Sequence, residues 1–403
     1  MVKIITNFNE FIDSNFNTIS LGLTPSGNLH LGFLTTLACA FLYLKYNPRS
    51  KLIITTLENT LDANIVKYNN LPIRFQYLSE DGKLEVPENL NQINEKRVIS
   101  KKVTAEIKDL IWKLVQIFDN KTKEEISAIR KSENLSKTDK NNLLKKQNSI
   151  FHLFSNNIYV YSLLDIFEKN KNFRRDIAKI LTNPEDIIVI NKLAGLDSSI
   201  KNFGKPVIAD NKKEYQAKFQ SIPIRIFCPE CKYICNEWGK VVYGHPEFGS
   251  PKFVSTCKNK NNCSLAKQEK LIVLEPREDM NKIELYFLLG IIRDFYKPFK
   301  ADCRVFGGDY FQIQSLDTGK STAERLSNTV NYFEKKTGQS KTFFGGPLIT
   351  IDGKKMSKTN VTFHVKDIEN ITKSFINIVK MLEKLKLENI SQGIQLDYRE
   401  ILN

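Results

Sequence analysis

"TISLGLTPSGNLHLGFLTTLACAFLYL", residues Thr18 to Leu44, joins a short apolar run to a long apolar segment through a turn. Thr18 to Leu23 has the composition of a buried strand. From Leu31 to Leu42 the apolar residues recur every three or four positions, which predicts an amphipathic helix. Lys51 to Asn59 then has the composition of a second buried strand. This order of strand, helix and strand predicts an α/β protein with a parallel sheet.

Composition limits the classes of protein to consider. The chain has 403 residues, enough for two or three domains, and a formal net charge of +15. That charge favours a polyanionic partner such as RNA or DNA, although a chain rich in Lys, Asn and Ile reaches the same balance without one. There is no signal peptide pattern and no uncharged apolar run of about 18 residues. We expect a soluble, cytoplasmic protein with no membrane partner.

The turn after the first strand has the features of a phosphate site. A loop that leads from a parallel strand into a helix presents backbone N–H groups and the positive end of the helix dipole. Gly27 and Gly32 allow the backbone to approach a nucleotide closely, and His30 can donate to phosphate oxygens. A histidine near a helix start is more often a surface or capping residue, so this motif alone is weak.

A second loop, "GGPLITIDGKKMSKT", covers Gly345 to Thr359. Lys355 and Lys358, with the small Ser357 before the second lysine, can close over a triphosphate and bring ammonium groups to developing charge. A solvated lysine-rich loop is the alternative. The occurrence of both loops in this order is harder to explain by coincidence than either loop alone.

Five of the seven cysteines lie between Cys228 and Cys263. Four of them, in two pairs, have spacings that can close a tetrahedral zinc site: Cys228, Cys231, Cys257 and Cys263. Buried or redox-active thiols are the alternative. Because the second pair is wider than the usual two-residue spacing, Cys235 or His245 can replace one ligand.

Together these motifs resemble those of class I aminoacyl-tRNA synthetases, and most closely the class I lysyl-tRNA synthetases. "GLTPSGNLHLG", Gly22 to Gly32, is similar to that family's G-I-T-P-S-G-x-x-H-x-G, and "SLDTGK", Ser315 to Lys320, to its S-Y-D-T-G-K. "KMSK", Lys355 to Lys358, resembles the second nucleotide-binding motif of the class. The cysteine pairs are similar to the family's zinc-bearing insertion. The resemblance covers roughly residues 15–65 and 220–362.

The resemblance implies an aminoacyl-tRNA ligase that activates an amino acid, lysine above all, with ATP and Mg²⁺ and transfers it to tRNA. The implied catalytic residues are His30, Lys355, Ser357 and Lys358. The implied ATP-binding residues are Pro25, Ser26, Gly27, Gly32, Gly308, Asp309 and Met356. The implied amino-acid-binding residues are Gly22 and Thr24. Zn²⁺ would be held by the four paired cysteines.

The expected fold is a Rossmann-type nucleotide-binding fold with an inserted helical and zinc-binding module. We expect the first half of the catalytic domain, a mixed region, the zinc-binding insertion, the second half with the KMSK loop and a short helical tail, over residues 1–70, 71–220, 221–270, 271–362 and 363–403. Within the mixed region, 119–147 is predicted to be exposed helices or a linker. "PEDIIVINKL" (184–193) and "KPVIAD" (205–210) are predicted to be short strands.

After Thr359 only 44 residues follow, with one amphipathic helix from Ile368, where the family continues into a large anticodon-binding domain. We therefore expect recognition of the tRNA acceptor arm, with a partner protein as a source of anticodon recognition. Two alternatives stay open. One is an enzyme of the same fold that delivers the amino acid to a modified tRNA base, a carrier protein or a small molecule. The other is a non-catalytic zinc-containing RNA-binding protein.

Overall fold

A computed structural model describes the main elements of the chain. The longer described segments are 3–23, 31–56, 93–132, 155–183, 224–235, 252–285, 292–306, 322–351 and 368–387. The shorter ones are 136–138, 141, 185–187, 189–190, 207–208, 214–215, 220–222, 241–244, 354–355 and 395–402.

The described strands are, in chain order, β1 Lys3–Ile5, β2 Thr18–Leu23, β3 Lys51–Thr56, β4 Ile158–Ser162, β5 Val207–Ile208, β6 Glu214–Tyr215, β7 Gln220–Ile222, β8 Ile224–Ile226, β9 Val241–Gly244, β10 Lys252–Thr256, β11 Leu271–Leu274, β12 Ile283–Leu285, β13 Cys303–Phe306, β14 Thr342–Gly345, β15 Leu348–Ile351, β16 Lys354–Lys355 and β17 Gln395–Asp397. The described helices are α1 Phe8–Asp13, α2 Leu31–Tyr46, α3 Ile93–Lys131, α4 Leu163–Lys169, α5 Lys171–Leu181, α6 Ser264–Lys267, α7 Thr322–Thr337, α8 Ile368–Leu387 and α9 Tyr398–Leu402.

A six-stranded sheet in the order β1-β14-β13-β2-β3-β4 organises the described chain. Its strand pairings are parallel throughout. From β2 the sheet grows outward through β3 to β4, and then in the other direction through β13 to β14. This is the order of a doubly wound sheet, with its reversal point between β2 and β13. The predicted α/β, Rossmann-like class is therefore confirmed, and β1 adds an edge strand beside β14.

The helix α2 begins at Leu31 and follows the predicted apolar pattern, but it lacks the solvent-facing side of an amphipathic helix. From Phe33 to Lys45 every residue is buried. The outer side, which a solvent-facing helix would leave to water, is covered by α8, and α1 and α3 pack nearby. Phe41 lies edge-on to both Phe118 of α3 and Phe375 of α8, with ring centroids 5.6 and 5.7 Å apart. The strongly apolar composition of α2 reflects this complete burial.

The helix α8 confirms the predicted helix near the end of the sequence and belongs to the main core. Ile371, Phe375, Ile378 and Leu382 of its inner face are buried in the same cluster as α2. The strand β17 then pairs in parallel with β15. The final described elements are thus attached to the sheet domain by packing and by strand pairing.

One expectation for the middle of the chain needs correction. Residues 185–187 and 189–190, predicted as a strand, are helical. Asn183 accepts a hydrogen bond from the backbone N–H of Glu185 at 3.0 Å, and Ile187 and Ile190 share a buried side, as helical spacing requires. The charged segment from residue 119 continues α3 to Lys131. By contrast, the predicted strand at Val207–Ile208 is observed.

None of the described helices has the length and apolar character needed to cross a membrane.

The burial of α2 includes one charged side chain, Lys45. Its Nζ donates to Glu125 of α3 at 2.8 Å and to Glu383 of α8 at 2.7 Å, and Lys121 also pairs with Glu383. Burial alone would lower the pKa of Lys45, but the two carboxylates outweigh it and raise the pKa. For Glu383, burial would raise the pKa, but attraction to Lys45 and Lys121 lowers it. These four groups join three helices.

We predict that Lys45→Met lowers the free energy of unfolding by about 3 kcal/mol, because Glu383 and Glu125 lose a partner in a largely buried place. Urea unfolding at neutral pH measures this. Lys380→Met is the matched control, since Lys380 is exposed on α8 and its change should stay within about 0.5 kcal/mol.

The same network predicts the pH dependence. Because the folded-state pKa of Glu383 is lowered, its contribution is complete above the ordinary glutamate pKa and is lost as the pH falls through the folded-state value. The raised pKa of Lys45 gives a contribution that is lost only at strongly alkaline pH. An equal loss of stability in Lys45→Met and Lys380→Met would contradict a role for this network.

Candidate functional site

The carboxyl ends of β2 and β13 are the first feature to consider. The two strands are parallel neighbours, and β2 ends at Leu23 while β13 ends at Phe306. The sheet reverses its order between them. In open parallel sheets, ligands bind outside the carboxyl ends of the strands at such a reversal point. This edge of the sheet is therefore the candidate binding edge.

Asp302, directly before β13, fixes the register of these strands. Its carboxylate accepts hydrogen bonds from the backbone N–H groups of Asn17 at 2.9 Å and Thr18 at 3.0 Å. Its own N–H donates to the carbonyl of Thr18, and its carbonyl accepts from the N–H of Thr342 at the start of β14. One residue thus aligns the starts of three adjacent strands.

A buried carboxylate, Asp294, links β2 to β13 further along. Its Oδ2 accepts from Ser20 Oγ of β2 at 3.0 Å and from Arg304 Nη1 of β13 at 2.9 Å. Ser20 and Arg304 are register partners, and all three side chains are buried. This buried ion pair and the additional hydrogen bond fix the position of β2 relative to β13. Sequence reasoning did not single out Asp294 or Asp302, because each lies outside a recognisable motif.

Two residues of the first motif lie within the described chain. Gly22 is the last residue but one of β2, where it pairs with Thr55 of β3 and is partly exposed. Gly32 is the second residue of α2, and its carbonyl accepts a hydrogen bond from Thr36 Oγ1 at 2.8 Å. The motif thus begins at the end of β2 and closes in the first turn of α2.

Lys355 of the second motif lies in β16. It is opposite Thr350 of β15, and β15 begins three residues after β14 ends. Between them, the N–H of Gly346 donates to the carbonyl of Phe306 at 2.9 Å. The chain that carries Lys355 therefore leaves the sheet from beside the end of β13.

The remaining predicted residues of the two loops lie outside the described residues: Thr24, Pro25, Ser26, Gly27, His30, Gly308, Asp309, Met356, Ser357 and Lys358. The SLDTGK motif, Ser315 to Lys320, also lies outside them, and α7 is described from Thr322.

The four paired cysteines form the second candidate site. The Sγ atoms of Cys228, Cys231, Cys257 and Cys263 all lie within 4.8 Å of one another. Cys228 and Cys263 are 3.6 Å apart at sulfur, as are Cys231 and Cys257. A tetrahedral ion with metal–sulfur bonds of about 2.3 Å requires sulfur separations of about 3.8 Å. Four free thiols at these distances fit one metal ion.

Tight turns place the first pair of cysteines. After β8, the N–H of Cys228 donates to the carbonyl of Tyr233, and the N–H of Lys232 donates back to the carbonyl of Cys228. Lys232 takes a positive φ of 58°, which lets the chain reverse directly after Cys231. This turn brings the two sulfurs of the pair to one side.

Glu230 ties the first turn to the second pair. Its carboxylate accepts from the backbone N–H of Ser264 at 2.7 Å and from Ser264 Oγ at 2.6 Å. These hydrogen bonds lower the pKa of Glu230. Ser264 follows Cys263, so the contact holds the two cysteine turns together without the metal. No pattern in the sequence predicted this contact.

The thiols differ in acidity. Burial raises the pKa of Cys228 and of Cys257. For Cys231 burial also acts to raise the pKa, but hydrogen bonds, first from the Tyr233 backbone, outweigh it and lower the pKa. A bound cation would favour the thiolate form at every ligand, because metal binding displaces the proton.

Cys235 is not a member of this cluster, so its predicted use as a replacement ligand is not needed. It is buried, its Sγ contacts the carbonyl of Tyr233, and burial raises its pKa to about 12. His245, the other replacement considered, lies outside the described residues.

No protein-family model matches this chain, and no curated protein matches it either.

We predict that purified protein contains about one tightly bound metal ion per chain and that Cys231→Ser loses it. Cys231 is the most exposed of the four, so this change removes a ligand with the least disturbance of packing. Elemental analysis of protein prepared under reducing conditions measures the metal, and melting temperature with and without chelator measures its contribution. Cys235→Ser is the control and should retain the ion. Metal-free wild-type protein from a fresh preparation would contradict the site.

Proposed function

We propose that this protein is an aminoacyl-tRNA ligase of the class I type, which activates an amino acid with ATP and transfers it to tRNA. One observation carries the proposal. The "TPSGNLHLG" stretch follows directly after β2, and the implied ATP-binding residues Gly308 and Asp309 come shortly after β13, the adjacent strand at which the sheet reverses. Both stretches therefore leave the sheet at the edge where open parallel sheets bind ligands, which supports the proposal.

The activation step requires placement more than a reactive side chain. A carboxylate oxygen of the amino acid attacks the α-phosphorus of ATP, a new phosphorus–oxygen bond forms, and pyrophosphate leaves with the electron pair of the broken bond. We assign charge stabilisation in the transition state to His30 and Lys358. Lys355 and Ser357 would position the triphosphate, and bound Mg²⁺ would neutralise part of its charge. Such catalysis is mainly geometry and electrostatics.

The substrate contacts follow from the same assignment. Gly32, in the first turn of α2, would lie against the adenine, and Gly308 with Asp309 would lie near the ribose. Gly22 and Thr24 would flank the amino group of the substrate, for which lysine is the first candidate.

We assign zinc to the four-cysteine cluster. Four thiolates at tetrahedral separation are a typical structural zinc donor set, and a site filled by four protein ligands leaves no open position for chemistry. Zinc would then stabilise the module that carries these turns.

The acceptor is proposed to be the tRNA acceptor arm. The net charge of +15 supports a polyanionic partner, since lysine and arginine side chains displace counterions from phosphates. Binding should accordingly weaken as salt increases.

We predict amino-acid-dependent exchange of pyrophosphate into ATP, tested with each of the twenty amino acids, with and without tRNA. His30→Ala and Lys358→Ala should each lower the exchange rate by about two orders of magnitude or more and change ATP binding much less, because both residues act on the transition state. Lys354→Ala is the matched control. Lys354 is adjacent to Lys355 in sequence and has no role in the proposed site.

Exchange at the wild-type rate in both variants would contradict the assigned roles, and no exchange with any amino acid would contradict the activity. The same preparation then tests the acceptor. Charging of an acceptor-stem minihelix supports tRNA recognition through the acceptor arm. Active exchange with no charging of tRNA or minihelix would instead favour an enzyme that delivers the amino acid to another acceptor.

A further inference from the structure

A row of residues crosses the sheet near its carboxyl edge, on one face. Tyr161 of β4 is the register partner of Thr55 of β3, and Thr55 is the partner of Gly22 of β2. On the other side, Phe306 of β13 is the partner of Gly345 of β14. Ser20 and Arg304 pair two positions earlier, so Gly22 and Phe306 occupy corresponding places. The row therefore runs Tyr161, Thr55, Gly22, Phe306, Gly345.

Alternation along each strand shows which face this row occupies. Ile53, two residues before Thr55, is buried in the same core cluster as Phe306, and Tyr161 packs against that cluster. The residues between them in sequence, such as Ile54, belong to the opposite core with α2. Gly22 has no side chain, so the row lacks a side chain between Thr55 and Phe306, and we call this position the notch. This notch lies at the reversal point of the sheet.

Thr55 supplies a polar atom beside the notch. It is fully buried, and among the described residues its Oγ1 has no hydrogen-bond partner. A buried hydroxyl without a partner costs free energy, so native proteins normally satisfy such a group. Ser20, on the same face two residues before Gly22, already donates to Asp294. Among the described residues, the hydroxyl of Thr55 is therefore the one beside Gly22 that a ligand can use.

We propose that Thr55 Oγ1 accepts a hydrogen bond from the α-ammonium group of the bound amino acid, in the notch that Gly22 leaves between Thr55 and Phe306. The inference rests on the proposed function, which places the amino group of the substrate at Gly22. It adds a binding residue from β3, a strand on which neither nucleotide motif lies.

Two neighbours border the notch and Thr55. The ring of Phe306 is fixed edge-on to Phe343 at 5.4 Å and lies 5.1 Å from the Arg304 guanidinium carbon, so the wall on that side is rigid. Beyond Thr55, Tyr161 packs edge-on to Phe299. Between them the hydroxyl of Thr55 is the acceptor that an ammonium group, which has only donors, requires.

The test is binding of each of the twenty amino acids to the full chain, measured by equilibrium dialysis in the presence of a non-hydrolysable ATP analogue. Thr55→Val removes the hydroxyl at nearly constant shape and should weaken binding of the cognate amino acid about tenfold or more. Thr55→Ser keeps the hydroxyl and should bind within about threefold of wild type. Thr55→Ala gives a second hydroxyl-free variant that does not depend on how valine packs.

Stability separates this role from a structural one. Thr55→Val should keep or raise the melting temperature, because it removes a buried hydroxyl that has no partner in the described structure. The matched control is Thr56→Val on the opposite face. Thr56 Oγ1 donates to the carbonyl of Tyr161 at 3.3 Å, so this change should lower the melting temperature and leave amino-acid affinity unchanged.

A second comparison identifies the group that Thr55 contacts. The analogue of the cognate amino acid without its α-amino group should bind wild type more weakly, and this difference should shrink in Thr55→Val. Equal affinity of wild type, Thr55→Val and Thr55→Ala, or no binding of any amino acid to wild type, would overturn the inference. If amino-acid binding depends on Thr55 but the protein catalyses no pyrophosphate exchange, the inference about Thr55 holds and the proposed activity is contradicted.

Discussion

The parallel register between β2 and β13 is the constraint on which the candidate site depends. Asp302 sets it at the start of the strands by accepting two backbone N–H groups, and Asp294 holds it further along through Ser20 and Arg304. A shift of one residue would turn every side chain of a strand to the opposite face. Phe306 would then no longer lie beside Gly22 on the face that carries Thr55, and the notch would lose one wall.

The two faces of the sheet are secured by different means. On one face, α2 is buried on all sides, and its single cation, Lys45, is neutralised by Glu125 and Glu383. On the other face, the four clustered cysteines share a hydrophobic core with Phe173 and with the sheet residues Ile53 and Phe343. A metal at the cysteines would therefore stabilise the same core that lies beneath the notch.

Local patterns in the sequence predicted several elements well. The strand Thr18–Leu23, the start of α2 at Leu31, the helix from Ile368 and the gathering of four cysteines all follow from composition and spacing. Non-local contacts account for the failures. The run containing 185–187 is predicted as a strand because a short run of isoleucine and valine fits both structures. The buried Asp186, which accepts from Tyr332 and pairs with Lys336 of α7, favours the helix.

Contacts between strands also explain why some residues of the candidate site were not predicted from the sequence. Asp294, Asp302 and Thr55 gain their roles from neighbours on other strands, and single-sequence patterns do not contain strand order. Gly22 was found through family resemblance, but its partner Thr55 emerges only once β2 and β3 are paired in register. The motifs thus locate the candidate binding edge of the sheet. The pairing of β2 with its neighbouring strands shows which side chains lie beside that edge.

The central claim is that an activated amino acid forms at the carboxyl ends of β2 and β13. A crystal structure with a non-hydrolysable aminoacyl-adenylate analogue, lysyl sulfamoyl adenosine, tests this claim most directly. The account predicts that the analogue spans the reversal point, with its adenosine toward the start of α2 and its amino group in the notch beside Gly22 and Thr55. Binding of the analogue at another surface, or no binding at concentrations that saturate such sites in solution, would contradict the account.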